Sequence, residues 1–266
     1  MRKIWASYRP LTDRAVASLS DGTFFAFSLM STLPRKGQKQ GGGKELSART
    51  PRAVEEAPVK MITIEAEPAP LDVNPHAALV IIDMQRDFLE AGGFGAGLGN
   101  DVSRLKVAVE PCRDVLAALR RRGVRVIHTR EGHRPDLSDA PHHKVERGDP
   151  SLRIGAPGPM GRRLVRGEAG HDIIPELYPI DGEPVIDKPG KGAFYQTDLE
   201  LVLRNRAVDT LLMCGVTTEV CVNTTVREAN DRGYRCIVLS DCCASYFPEF
   251  HDMGLKMIKA QGVPPT

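Results

Sequence analysis

Five short apolar runs constrain this chain most: ALVIID (78–83), VRVIHT (124–129), PVIDK (184–188), VDTLLMCG (208–215) and YRCIVLSD (234–241). The leading runs are continuous rather than alternating, which is how a strand buried on both faces reads. Helical patterns separate them. Val102, Leu105, Val109, Cys112, Val115, Leu116 and Leu119 recur at helical spacing until Gly123 stops them, with Pro111 expected to kink or divide the helix. Thr197 with Glu200 three positions on reads as a capping box opening TDLELVLRNR, and TTEVCVNTTVREANDRG is the helix between the fourth and fifth runs. Gly-rich AGGFGAGLGND (91–101) is a loop. The stretch from Arg130 to Gly182, with seven prolines, is mainly loop with short helical pieces. Repeated strand–helix–strand units predict an α/β fold with a mostly parallel sheet covered by helices on both faces.

Composition narrows the function classes. With 36 basic and 34 acidic residues the net charge is +2, too small to point to nucleic acid or an anionic membrane as the principal partner. The longest apolar runs have strand length, short of the roughly 20 residues that cross a bilayer. Six cysteines lack both the density of a disulfide scaffold and the spacing of a zinc site, which fits a reducing, cytoplasmic setting. A small-molecule partner remains. Residues 1–60 are rich in Arg, Lys, Ser and Gly, lack periodicity and read as a disordered N-terminal extension; a transit peptide, or an upstream extension before a start near Met61, would look the same. Residues 61–266 then form the folded domain.

In a parallel sheet of this kind, ligands sit at the carboxyl ends of the strands. Asp83 ends the first strand, Lys188 ends a middle one, and Cys221 lies a turn past the strand that finishes at Gly215. With Thr218 capping the next helix, Cys221 sits at its third position, where free N–H groups and the helix dipole favour thiolate. A nearby Lys⁺ adds to this, Asp83 can carry a proton to a leaving amine, and the turn from Gly215 to Cys221 presents N–H groups to an oxyanion. The bland readings stand beside this one: Cys221 as core packing, Asp83 as a cap or salt bridge, Lys188 as solvated surface.

Three segments, ALVIIDMQRDF (78–88), VIDKPGKGAFYQTDL (185–199) and GVTTEVCVNTTVREANDRGY (215–234), resemble the isochorismatase-like cysteine hydrolases in sequence and in order, and the resemblance runs from about Ala77 to Gln261. It implies a Rossmann-like three-layer α/β/α fold and a triad of Asp83 as proton carrier, Lys188 as the supporting cation and Cys221 as nucleophile. It also implies a cis bond between Val216 and Thr217, and an oxyanion hole from the N–H groups of Thr217 and Cys221. HTREGHRPDLSD (128–139), RGEAGHDIIPEL (166–177) and CCASYFPEFH (242–251) look most like the branch acting on ureido compounds: biuret, triuret and ureidoacrylate hydrolases. The implied reaction runs through a thioester and releases ammonia or an amine, without metal or organic cofactor. Phe88 and Gln261 match substrate-contacting positions, each with a bland alternative as core ring and solvated helix end. A homodimer or homotetramer is implied as well.

Two departures from that pattern are the N-terminal extension and a C-terminus reading AQGVPPT, shorter than the pattern implies. The rival readings are a nicotinamidase-type amidase with a metal on His128, His133 and Asp136, which lack the expected Asp-x-His pattern; a vinyl-ether hydrolase, whose relatives lack the cysteine; a catalytically impaired binding protein on the same fold; and a redox role for vicinal Cys242 and Cys243, which adjacent cysteines rarely support.

Overall fold

The computed structural model describes residues 61–64 and 70–263. The expected disordered extension, residues 1–60, lies outside them. The apolar runs form a five-stranded sheet of β1 (Ala77–Ile82), β2 (Arg125–Glu131), β3 (Val185–Lys188), β4 (Thr210–Val216) and β5 (Arg235–Ala244). Its order is β3-β2-β1-β4-β5, with every neighbouring pair parallel. β1 and β4 are buried along their whole length, which is why their sequences are unbroken apolar runs.

Helices α1 (Val109–Arg121), α2 (Leu199–Asn205), α3 (Asn223–Asp231) and α4 (Pro248–Ala260) flank the sheet. This is the three-layer α/β/α arrangement. The helical pattern before Gly123 is divided, with a short piece at Ser103–Lys106 and α1 starting at Val109. Pro111 thus falls in the first turn of α1, where its missing N–H costs nothing. The long polar stretch holds only short helical pieces such as His142–Val145 and Pro175–Leu177.

Two local expectations fail. The capping box does not close: Thr197 Oγ1 does accept from the Leu199 N–H at 3.3 Å, but Glu200 bonds Arg204 and Arg232 instead of reaching back. Thr218 is not a cap either. Its hydroxyl pairs with His251 Nδ1 at 2.8 Å, and residues Thr218–Val222 form a π-type turn that delays α3 to Asn223.

The chain winds outward from β1 to β3, crosses back, and continues with β4 and β5 on the other side of β1. The switch point therefore falls between β1 and β4, and a crevice opens there at the carboxyl ends of the strands. Among the described residues no helix is long and apolar enough to cross a membrane.

Candidate active site

Register aligns the strand ends. Ile82 pairs with Thr129 on one side and Gly215 on the other, and Glu131 pairs with Lys188. The residues that end or follow these strands, Asp83, Glu131, Lys188 and Val216, therefore share one edge of the sheet. Asp83 adopts a left-handed φ of 54°, which turns the chain off the strand. Its backbone N–H donates to the Thr129 carbonyl at 3.1 Å, and the Thr129 hydroxyl donates to Asp83 Oδ1 at 2.6 Å. The other carboxylate oxygen pairs with Lys188 Nζ at 2.7 Å, and neither side chain is exposed.

Lys188 donates further to the carbonyls of Gly190 and Lys191, both at 3.0 Å, and lies 4.0 Å from Glu131 Oε2. Burial works against its charge, but the Asp83 and Glu131 carboxylates outweigh it and hold the ammonium above its usual range. The PGKG turn after β3 is thus a carbonyl cradle for the lysine.

Cys221 lies in the π-type turn. The Thr217 carbonyl accepts from the N–H groups of Val220 and Val222, both at 3.2 Å, so those bonds bracket the Cys221 N–H. The turn is anchored by Thr225 Oγ1, which donates to the Cys221 carbonyl at 2.7 Å. The Val216–Thr217 bond is cis. Gly215 just before it has φ 119°, and a Cβ there would run into the Ile82 carbonyl, so only glycine lets β4 pass β1 at this point.

Glu131 is the residue that sequence reasoning missed. Its carboxylate is fully buried, accepts from Lys191 Nζ at 2.8 and 3.0 Å and from Lys144 Nζ at 3.4 Å, and faces the Cys221 Sγ at 3.5 Å. Burial pushes its carboxyl up, but Lys188, Lys191 and Lys144 together pull it down to about 2. Gln85 clamps its backbone: Gln85 Oε1 accepts the Glu131 N–H at 2.7 Å, and Nε2 donates to the Glu131 carbonyl at 3.0 Å. The available signal was an acid closing the run HTRE, just as an acid closes ALVIID.

The thiolate expectation needs correction. Burial pushes the Cys221 thiol well above its usual range; Lys188 and Lys191 pull it back, while Asp83 and Glu131 push it up. Two carboxylates match the two lysines, so desolvation decides, and the resting group is a thiol.

The other expected site residues lie differently. Phe88 sits on the short helix Arg86–Leu89 after β1, its ring half-buried against the core and its carbonyl holding the Tyr246 hydroxyl at 2.7 Å. Gln261 is an exposed C-cap of α4. It shares a small cavity with Val226, Arg227, Asn230 and Asp231, at the end of α3 away from Cys221. It does not join the strand-end cluster, because α4 runs parallel to α3, with His251 beside Thr218, Gly254 beside Asn223 and Ile258 beside Val226, and so carries its last residues to the far end.

The rival metal set does not assemble. His128 Nε2 is 3.1 Å from Glu183, His133 Nδ1 is 3.3 Å from Asp139, and Asp136 accepts from its neighbour Ser138. Among the described residues, the groups close enough to share a cation are Asp83, Glu131 and Cys221, with ligand atoms within 4.8 Å of one another. The Lys188 ammonium already stands by both carboxylates.

A doubly covered parallel sheet with a buried acid–lysine pair and a cysteine at its switch point defines a Rossmann-like α/β enzyme architecture. A profile described as Isochorismatase domain matches residues 77–266, and the chain belongs to that family. It is 32% identical over 186 residues to a ureidoacrylate amidohydrolase of Methylorubrum extorquens, covering 68% of this chain and 75% of that protein. Among solved structures, an isochorismatase family protein from Desulfovibrio vulgaris matches with TM-score 0.61 and 30% identity, covering 71% of this chain and 93% of the other. N-carbamoylsarcosine amidase from Thermoplasma acidophilum matches with TM-score 0.54 and 28% identity, covering 71% and 95%.

Proposed function

We propose that this hydrolase of amide C–N bonds cleaves a small ureido or carbamoyl amide, of the biuret, triuret or ureidoacrylate type, with Cys221 as nucleophile. The observation that carries the reading is the placement of Cys221 beside the buried Asp83–Lys188 pair at the switch point. Kinship to a ureidoacrylate amidohydrolase and to N-carbamoylsarcosine amidase supports the substrate class.

The chemistry follows from the charges. Cys221 rests as a thiol, so attack requires a base. Glu131, held at about 2 by its lysines, is too weak to keep a thiol proton. Asp83 is left as acceptor. As the Sγ–C bond forms, the thiol proton passes to Asp83 and the carbonyl oxygen becomes an oxyanion, taken up by the N–H groups of Thr217 and Cys221. Collapse breaks the C–N bond, and Asp83 returns the proton to the departing nitrogen. Water then attacks the thioester, yields a proton to Asp83, and collapse restores the thiol. Lys188 holds Asp83 in place and offsets the negative charge that accumulates during both attacks.

The experiment is ammonia release from biuret, triuret, ureidoacrylate and N-carbamoyl amino acids by the wild type and Cys221→Ala. Release by the wild type and its loss in a folded variant are expected. Undiminished release by the variant would remove Cys221 from the reaction.

A further inference from the structure

Lys144 belongs to the short helix His142–Val145, outside the sheet, yet its ammonium reaches both arms of the site. It donates to the Pro189 carbonyl at 2.6 Å, to His133 Nε2 at 3.2 Å and to Glu131 Oε1 at 3.4 Å. The first bond fixes the turn whose next two carbonyls, of Gly190 and Lys191, cradle Lys188. The third fixes the carboxylate that faces the Cys221 Sγ. Lys191 bonds the same carboxylate at shorter range, but 46% of its side chain is exposed, against 20% for Lys144. An ammonium has three donors, and all three of Lys144 are used inside the protein.

The bond to His133 decides where that ammonium points. His133 is fully buried, its backbone N–H donates to the Leu164 carbonyl at 2.8 Å, and its carbonyl accepts from the Arg166 N–H at 2.9 Å, so the ring has a fixed base. An ammonium beside the ionised Glu131 only donates, so His133 Nε2 must be the acceptor. The ring proton then sits on Nδ1, which faces Asp139 Oδ1 at 3.3 Å. Asp139 is held in turn by the Arg134 N–H at 2.9 Å and the Arg166 guanidinium at 3.2 Å. Burial first, and then Lys144, hold the imidazole below its ordinary pKa, against the pull of Asp139 and Glu131. The ring is therefore a neutral acceptor in one tautomer; protonated, it would turn a second N–H toward the ammonium it now receives.

We propose that Lys144 is a positioning residue of the reaction and that His133, in its Nδ1–H tautomer, is the acceptor that directs it. The inference rests on the amidase reading and extends it beyond Asp83, Lys188 and Cys221. One ammonium ties the acid that aims the thiol to the turn that orients the triad lysine, so Cys221 and the Asp83–Lys188 pair keep their mutual placement. Lys144 touches neither the thiol nor the pair and acts only through Glu131 and Pro189. A loss there should therefore appear in the chemical step rather than in substrate affinity.

The test combines kinetics with two readouts that need no turnover. Ammonia release from biuret and from ureidoacrylate is measured for the wild type, Lys144→Met, Lys144→Arg, His133→Leu and His133→Gln. Lys144→Met and His133→Leu should lower kcat by about 10²-fold and leave KM within about twofold. Lys144→Arg keeps a cation and His133→Gln keeps an acceptor in Oε1, so each should recover much of that loss. Nitrogen NMR of the histidine-labelled wild type should show His133 neutral at pH 7 with its proton on Nδ1, the minor tautomer of free imidazole side chains. Removing a cation disfavours thiolate, so iodoacetamide labelling of Cys221 in Lys144→Met should move to higher pH. An Nε2–H or doubly protonated His133, or an unchanged kcat in Lys144→Met, would overturn the proposal while leaving the amidase reading intact. A wild type that releases no ammonia, yet shows the Nδ1–H ring and the shifted labelling, would keep Lys144 as the residue that places the thiol and remove the amidase reading. Thermal melts of each variant separate misplacement from misfolding, and the wild-type tautomer decides the link to His133 even where a variant fails to fold.

Discussion

Glu131 Oε2 lies 3.5 Å from the Cys221 Sγ, and the same carboxylate holds Lys191 and Lys144. One acid therefore aims the thiol and organises the cations around it.

Replacing Glu131 by Gln should have two separable effects. The carboxylate raises the thiol pKa, so its loss should move the pH profile of iodoacetamide labelling at Cys221 toward lower pH. The cations it gathers would also drift, and misplacement of this kind costs on the order of 10²-fold in turnover. A more acidic thiol with a slower enzyme is the expected pairing. An unshifted labelling profile would show that Glu131 does not act on Cys221.

Acid should destabilise the fold through the same residue. The Glu131 pKa is lowered to about 2 in the folded protein, against about 4.3 unfolded. A depressed carboxyl stabilises above its unfolded value, and that stability is lost as pH falls through the folded one. The window is thus pH 4.3 down to 2, and the size is about 3 kcal/mol. Urea midpoints measured across that window should fall steeply for the wild type and less so for Glu131→Gln.

Lys188→Ala should be more damaging to stability than a typical core truncation. Neither Lys188 nor Asp83 is exposed, so the change leaves a buried carboxylate without its cation. Removing one member of such a pair costs about 3 to 5 kcal/mol. The double change Asp83→Asn/Lys188→Met should cost less than the sum of the single changes, because it leaves no uncompensated charge. Additive losses in urea denaturation would mean that the two residues are not energetically coupled.

The fold was legible in the sequence because strands buried on both faces leave continuous apolar runs, and the five runs became β1 to β5 with ends shifted by at most three residues. The convergence of Asp83, Lys188 and Cys221 was legible because each stands at or just past a strand end, which a parallel sheet gathers on one edge. Glu131 was not legible, since its meaning depends on its register with Lys188 and on lysines 13 and 60 residues away. The same holds for Glu200, whose capping role is lost to Arg232, and for the thiol of Cys221, whose titration depends on burial that no local pattern reveals.

Gln261 supplies the remaining test, because sequence likeness and three-dimensional placement disagree about it. Cys221 precedes α3, whereas Gln261 follows α4 beside Asn230 and Asp231 at the far end of α3. At 1.5 Å of rise per residue, the ten residues from Cys221 to Asp231 put about 15 Å between the two regions, beyond the reach of an amide side chain toward a small substrate. Gln261→Ala should therefore change KM and kcat by less than about twofold, the range expected of an exposed side chain that touches neither substrate nor core. A tenfold rise in KM would contradict the single-chain placement and require the substrate to meet this helix end from a second copy of the chain. Sedimentation of the wild type alongside the kinetics would then decide whether such a copy is present.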